Sequence, residues 1–90
     1  MTTTQKFRNF VDDPIGDKSV LELPGIGGIL GTRLQAAGVD KAYIVLGHYL
    51  VLKKNKEAFQ NWMKDTCKAQ PKQSLDCYQS LHEWSGKFLN

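Results

Sequence analysis

Only two cysteines, Cys67 and Cys77, occur in these 90 residues. Two thiols are too few for a disulfide framework, and we expect both to be reduced core side chains of an intracellular protein. Together with His48 and His82 they are the only soft metal ligands. Their spacing fits no zinc pattern, so no metal and no other cofactor is expected. No serine or cysteine has the surroundings of an activated nucleophile, which leaves the histidines without a catalytic role. His48 is expected at a subunit surface or in a hydrogen bond. No apolar run reaches the ~18 residues of a membrane span. The start, MTTTQKFRNF, has no apolar segment of the kind a secretory signal needs. Low-complexity tracts, internal repeats and convincing strand patterns are also missing.

What remains is the composition of one small domain over residues 1–90, 41% hydrophobic and with a net charge of +3. The apolar content excludes disorder. The mild positive charge is compatible with a nucleic-acid partner without requiring one. A chain of this length buries little more than about 60% of its unfolded surface, so oligomerisation would help it.

The pattern is all-α, with five longer helices and one short one. Thr3 or Thr4 can cap the first helix, whose inward stripe is Phe7, Phe10 and Val11, and Pro14 ends it. Ser19 and Glu22 form a capping box that starts a short helix at Val20. A helix from about Gly27 to Ala37 follows, closed by Gly38 in a left-handed conformation. Asp40 is expected to cap the segment KAYIVLGHYLVLKK. Asn55 caps the next helix, bearing Ala58, Phe59, Trp62, Met63 and Thr66. Pro71 opens the last, whose inner face carries Cys77, Tyr78, Leu81, Trp84, Ser85 and Phe88. Trp62 and Trp84 read as core.

The segment KAYIVLGHYLVLKK is apolar almost all round, so it has to be covered on every side. It is too short for a bilayer, and a small chain has little material to wrap it. A second copy of the protein is the natural cover. One face is marked by Tyr43, Leu46, Gly47 and Leu50, and the bare Gly47 suits close approach of another backbone. Lys53, Lys54 and Lys56 answer the negative end of this helix, or face a partner.

Residues 23–34, LPGIGGILGTRL, hold four glycines among core-facing apolar residues. A short helix, the turn PGIG and a second helix make a helix-hairpin-helix over about residues 20–37. Gly25 can take positive φ, and Ile26 pins the turn to the core. Gly27 opens a helix whose first N–H groups lack intrahelical partners and attract an anion. Bare Gly25 and Gly27 would let a phosphate reach the backbone, with Arg33 adding charge nearby. Such contacts read phosphates and not base edges. The expectation is sequence-independent binding to duplex DNA, weakening as salt rises. Lys6 and Arg8 either extend that face or form a solvated helix end. The alternative reading of the whole motif is a tight αα turn, or a protein-interaction module.

The full chain also resembles the barrier-to-autointegration factor family, through QKFRNFV, DPIGDKSV, GIGGILGTRL, AGVDKAYIVLG, YLVLKK, WMKDTC, KQSLDCY and EWSGKFL. The resemblance implies a compact helical homodimer in which each protomer binds one duplex, so that the dimer bridges two DNA segments. It implies roles in chromatin compaction, nuclear reassembly and blocking of retroviral self-integration. It further implies LEM-domain proteins and lamins as partners, and residence in the nucleus and also the cytoplasm. By position, Gln5, Lys6, Gly25, Gly27, Ile29, Arg33 and Lys72 would face DNA, and a LEM groove would cross the dimer near Gly47, Val51 and Lys53. Thr2, Thr3 and Thr4 are a hydroxyl cluster beside the basic face; phosphate there would oppose DNA, and the resemblance implies such regulation. Thr2–4 also read as a frayed end with a cap.

Several positions depart from the family pattern. Thr32 and Leu75 stand where basic residues are usual, Pro71 has no N–H to offer a phosphate, and Phe7 and Ala58 replace a usual histidine and leucine. Losing about two phosphate contacts would flatten the salt dependence by roughly 2 units. Two rivals therefore stand beside a DNA-bridging homodimer. One is a diverged interaction module with weak or no DNA binding. The other is a DNA glycosylase-like enzyme, which this length argues against because a flipped base needs a larger pocket.

Overall fold

Five α-helices and a single 3₁₀ turn succeed one another, and no strand forms among the described residues. The computed structural model describes residues 4–89. Helix α1 spans Gln5–Val11, and the Thr4 hydroxyl accepts from the Phe7 N–H at 3.1 Å. Of the two candidate caps it is Thr4 that serves; Thr2 and Thr3 lie outside the described residues. Phe10 and Val11 are buried as the periodicity requires, with Phe7 packed against them. The chain beyond α1 is held on the last helix, where the Trp84 indole N–H donates to the Asp13 carbonyl at 2.9 Å.

Both halves of the Ser19–Glu22 capping box form, but the helix they start is only the 3₁₀ turn Val20–Glu22. Helix α2 spans Gly28–Ala36 and is closed by Gly38 at φ +83°, as expected. Helix α3 spans Ala42–Val51, shorter than KAYIVLGHYLVLKK suggested. Asp40 does not cap it. Residues on either side of Lys41 are drawn into an isolated antiparallel bridge with Ser19, where the Val20 N–H donates to the Asp40 carbonyl at 3.0 Å and the Ala42 N–H to Lys18 at 2.9 Å. The extended backbone leaves Lys41 at the cap position with no side-chain cap. Past Val51 the chain leaves the helix through Lys53 and Lys54, both left-handed, at φ 61° and 62°.

Helix α4, Lys56–Cys67, is capped by Asn55, whose side-chain oxygen accepts from the Ala58 N–H at 2.8 Å. Helix α5, Pro71–Phe88, has proline at its first position, where a missing N–H costs nothing. Helices α4 and α5 pack together, α1 lies on α5, and the 3₁₀ turn joins α2 to α3. The radius of gyration is 11.6 Å, close to the ~12 Å of a compact body of this length. Tyr49 and Phe59, both fully buried, meet edge to face at 6.0 Å in the centre.

Two side chains on the inner faces differ from expectation. Trp62 is only partly buried and stacks on His48 at 4.3 Å, so His48 is occupied within its own chain. Phe88 is 37% exposed at the last position of α5, stacked on Trp84.

Candidate nucleic-acid interface

The turn between Glu22 and Gly28 is built by backbone bonds. The Ile26 N–H donates to the Leu23 carbonyl at 3.1 Å, and Gly25 sits at φ +83°. Ile26 is 1% exposed and anchors the turn in the core. The two glycines of PGIG answer different needs. A Cβ on Gly25 would run into the backbone carbonyl of Gln73 on α5, so Gly25 is bare to let the turn lie against that helix. The expectation that its bareness opens the backbone to phosphate is corrected to that extent. Gly27 faces open space, with nothing within 4 Å of an added Cβ.

Gly27 holds the N-cap position of α2 in extended conformation, with no side chain capping the amides behind it. The first intrahelical bond runs from the Gly31 N–H to the Gly27 carbonyl at 2.8 Å. The amides of Gly28, Ile29 and Leu30 therefore precede the ladder and carry the positive end of the helix dipole. Gly27, Gly28 and Ile29 are all exposed, Ile29 by 71%. The hydroxyl of Thr32 turns back to the Gly28 carbonyl at 2.8 Å and offers no charge.

One open cleft collects Gly27, Ile29 and Arg33 with Gly28, Lys68, Gln70 and Gln73. Arg33 is fixed there because its guanidinium donates to the Cys67 carbonyl at 3.1 Å, at the end of α4. Lys6 reaches the other side of the turn, donating its ammonium to the Ile26 carbonyl at 2.6 Å. Partial burial holds that ammonium below the usual lysine pKa, and the neighbouring Cys77 opposes the effect. Gln5 is exposed at the start of α1 and bonded to Asn9 at 2.8 Å. Lys72 is exposed on the first turn of α5, paired with Asp76 at 3.3 Å, and does not line the cleft.

Gly28, Lys68, Gln70 and Gln73 were not singled out in the sequence. Only the Gln70–Gln73 pair had a local signal, since glutamine at N3 is half of a capping box, and here both halves form. Gly31 was also missed: an added Cβ would meet the Leu21 side chain, so it lets the 3₁₀ turn lie against α2.

On α3 the residues marked for a partner divide. Leu46 is 8% exposed and belongs to the chain's own core. Tyr43, Leu50 and Val51 are 47%, 38% and 77% exposed, and Gly47 faces open space. These four positions share one helix face, and exposed Lys53 follows them. Cys67 and Cys77 are free, buried thiols, and desolvation raises the pKa of both. Among the described residues no group of three or more His, Cys, Asp or Glu gathers to hold a metal, and no helix is long and apolar enough to cross a membrane.

Comparison with known proteins finds similarity along almost the whole chain. A family model described as Barrier to autointegration factor matches residues 1–88. The Drosophila melanogaster Barrier-to-autointegration factor is 59% identical over 87 residues, covering 97% of both chains. The Homo sapiens protein of that name is 55% identical over 89 residues, covering 99% of this chain and 100% of its own. The Danio rerio protein is 54% identical over 88 residues. An all-helical chain that matches this family model over residues 1–88 and aligns almost end to end with these proteins belongs to the barrier-to-autointegration factor family.

Proposed function

We propose that this chain binds double-stranded DNA through its sugar–phosphate backbone, without sequence preference, and that a homodimer bridges two duplexes. The observation that carries the reading is the open start of α2. The uncapped amides of Gly28 and Ile29, both exposed residues, lie in one cleft with bare Gly27 and the Arg33 guanidinium, and a phosphate oxygen satisfies both the amides and the charge. Gly25 shapes this turn; Lys6 flanks it; Gln5, Ile29 and Lys72 extend the face along α1, α2 and α5. The uncovered stripe Tyr43–Gly47–Leu50–Val51 of α3 is the dimer surface, continued by Lys53. Family membership supports LEM-domain proteins and lamins as partners, and a place in chromatin and at the nuclear envelope, with a cytoplasmic pool. No step of this function is catalytic, and no cofactor takes part.

The test is a gel-shift titration against salt with Gly27→Glu as control. The wild-type chain binds arbitrary duplexes with a steep salt dependence. Gly27→Glu, which adds bulk and negative charge at the cleft but meets open space, loses binding while keeping fold and dimer. Normal binding by Gly27→Glu refutes the site.

A second reading, an interaction module that kept the fold but lost the DNA face, is favoured by the uncharged Thr32 and Leu75 and by Pro71 at the start of α5. It gives no shift even at low ionic strength, with dimerisation intact.

A further inference from the structure

We infer that Lys68 is a phosphate-binding residue of this chain, presented to the hairpin cleft by the turn between α4 and α5. The inference rests on the phosphate-binding reading above and adds a residue to it.

Lys68 lines the same cleft as Gly27, Gly28 and Arg33, and also borders the groove between α4 and α5. The backbone there is left-handed, at φ 58° and ψ 37°, a conformation glycine adopts without penalty and lysine does not. The geometry is needed for the turn. The Lys68 N–H donates to the Lys64 carbonyl at 3.0 Å and the Ala69 N–H to Met63 at 3.4 Å, ending α4 within four residues of Pro71. Glycine would make this turn with less strain, so what lysine adds is its side chain.

That side chain is not used inside the molecule. Lys18, Lys72 and Lys87 are paired with Asp13, Asp76 and Asp12, whereas the Lys68 ammonium has no hydrogen bond or ion pair among the described residues. Nor is it required at the negative end of α4, because Arg33 already donates to the Cys67 carbonyl there. A free cation, on a backbone ill-suited to it, stands beside uncapped amides. A phosphate diester in the cleft has its charge shared between the amides of α2, Arg33 and Lys68.

The test is a fluorescence-anisotropy titration of a labelled duplex of arbitrary sequence over a salt series, using the full chain. The set is wild type, Lys68→Gly, Lys68→Arg and, as a charge control, Lys56→Ala, with thermal melts of each. Lys68→Gly is expected to bind about 5- to 10-fold more weakly at 0.1 M salt, with its salt slope reduced by about 1, one phosphate contact's worth. Its melting temperature holds or rises, since glycine relieves the turn. Lys68→Arg keeps the slope, and Lys56→Ala matches wild type. A Lys68→Gly slope equal to a binding wild type overturns the inference and leaves the function standing. So does an equal loss in Lys56→Ala, which would make the effect one of net charge. A wild-type chain that binds no duplex overturns both.

Discussion

The Arg33 guanidinium donates to the Cys67 carbonyl oxygen at 3.1 Å. This bond ties α2 to the end of α4 and fixes a positive charge beside the open amides of Gly28 and Ile29. Arg33 therefore serves packing, and the proposed function gives it a second role toward phosphate. Arg33→Ala should cost about 1–2 kcal/mol of stability, the worth of a hydrogen bond from a charged donor on a partly exposed side chain, and should weaken DNA binding as well. Arg33→Lys, which keeps the charge but loses the planar fork, should recover more binding than stability. Urea denaturation beside duplex titration separates the two effects.

The two glycines of PGIG should behave oppositely. Gly25→Ala places a methyl against the Gln73 carbonyl at positive φ, and should destabilise by at least ~2 kcal/mol. At this chain length that lowers the melting temperature by about 8 °C or more. Gly27→Ala meets open space in an extended backbone and should cost under ~1 kcal/mol, the usual penalty of alanine at a helix start. Equal melting temperatures for the pair would contradict the packing of the turn on α5.

The Thr4 hydroxyl caps α1 by accepting from Phe7. Thr4→Ala should cost about 1 kcal/mol and leave DNA affinity unchanged. Thr4→Asp keeps a capping oxygen and adds negative charge beside the basic face, so it should hold stability while lowering affinity. Phosphorylated Thr4 should lower affinity further. The readouts are a melt and a salt titration of each form.

Gly47→Glu puts a charged side chain at the open face of α3, where nothing in the protomer touches an added Cβ. Circular dichroism should be unchanged while sedimentation shows the proposed dimer split. Each protomer should then bind one duplex but no longer link two, which a two-colour DNA bridging assay reads directly.

Burial pushes the Cys77 thiol far above its ordinary pKa, and the Cys67 thiol moves the same way for the same reason. A group raised in the folded state favours folding fully below its unfolded pKa. Above that value only the unfolded chain ionises, so stability declines. Stability should therefore be level through neutral pH and fall above about pH 9, by up to ~1.4 kcal/mol per pH unit for each such thiol. Cys77→Ala should fall less steeply, even though the cavity lowers its overall stability. Denaturation midpoints from pH 7 to 10.5 test this.

Features that need only neighbours along the chain were readable from the residues alone. Thr4, Asn55 and the Ser19–Glu22 pair cap their turns through bonds spanning two or three residues, and Pro71 and Gly38 punctuate helices by their own backbone limits. The hairpin was legible for the same reason, since positive φ at Gly25 and open amides behind Gly27 are properties of a short segment. Asp40 misled because the local rule lost to a distant partner: Ser19 draws Lys41 into a bridge, and an extended backbone cannot continue the helix from Asp40. Tertiary packing alone decided what surrounds the hairpin. It set Gln73 against Gly25, carried Leu46 inward while leaving Leu50 and Val51 uncovered, and brought Lys68 to the cleft of Gly27. The first and last arise where the hairpin, α4 and α5 meet, and the second where α3 packs on the rest of the chain; side-chain shape across helices, unlike a cap, leaves no periodic mark in the sequence.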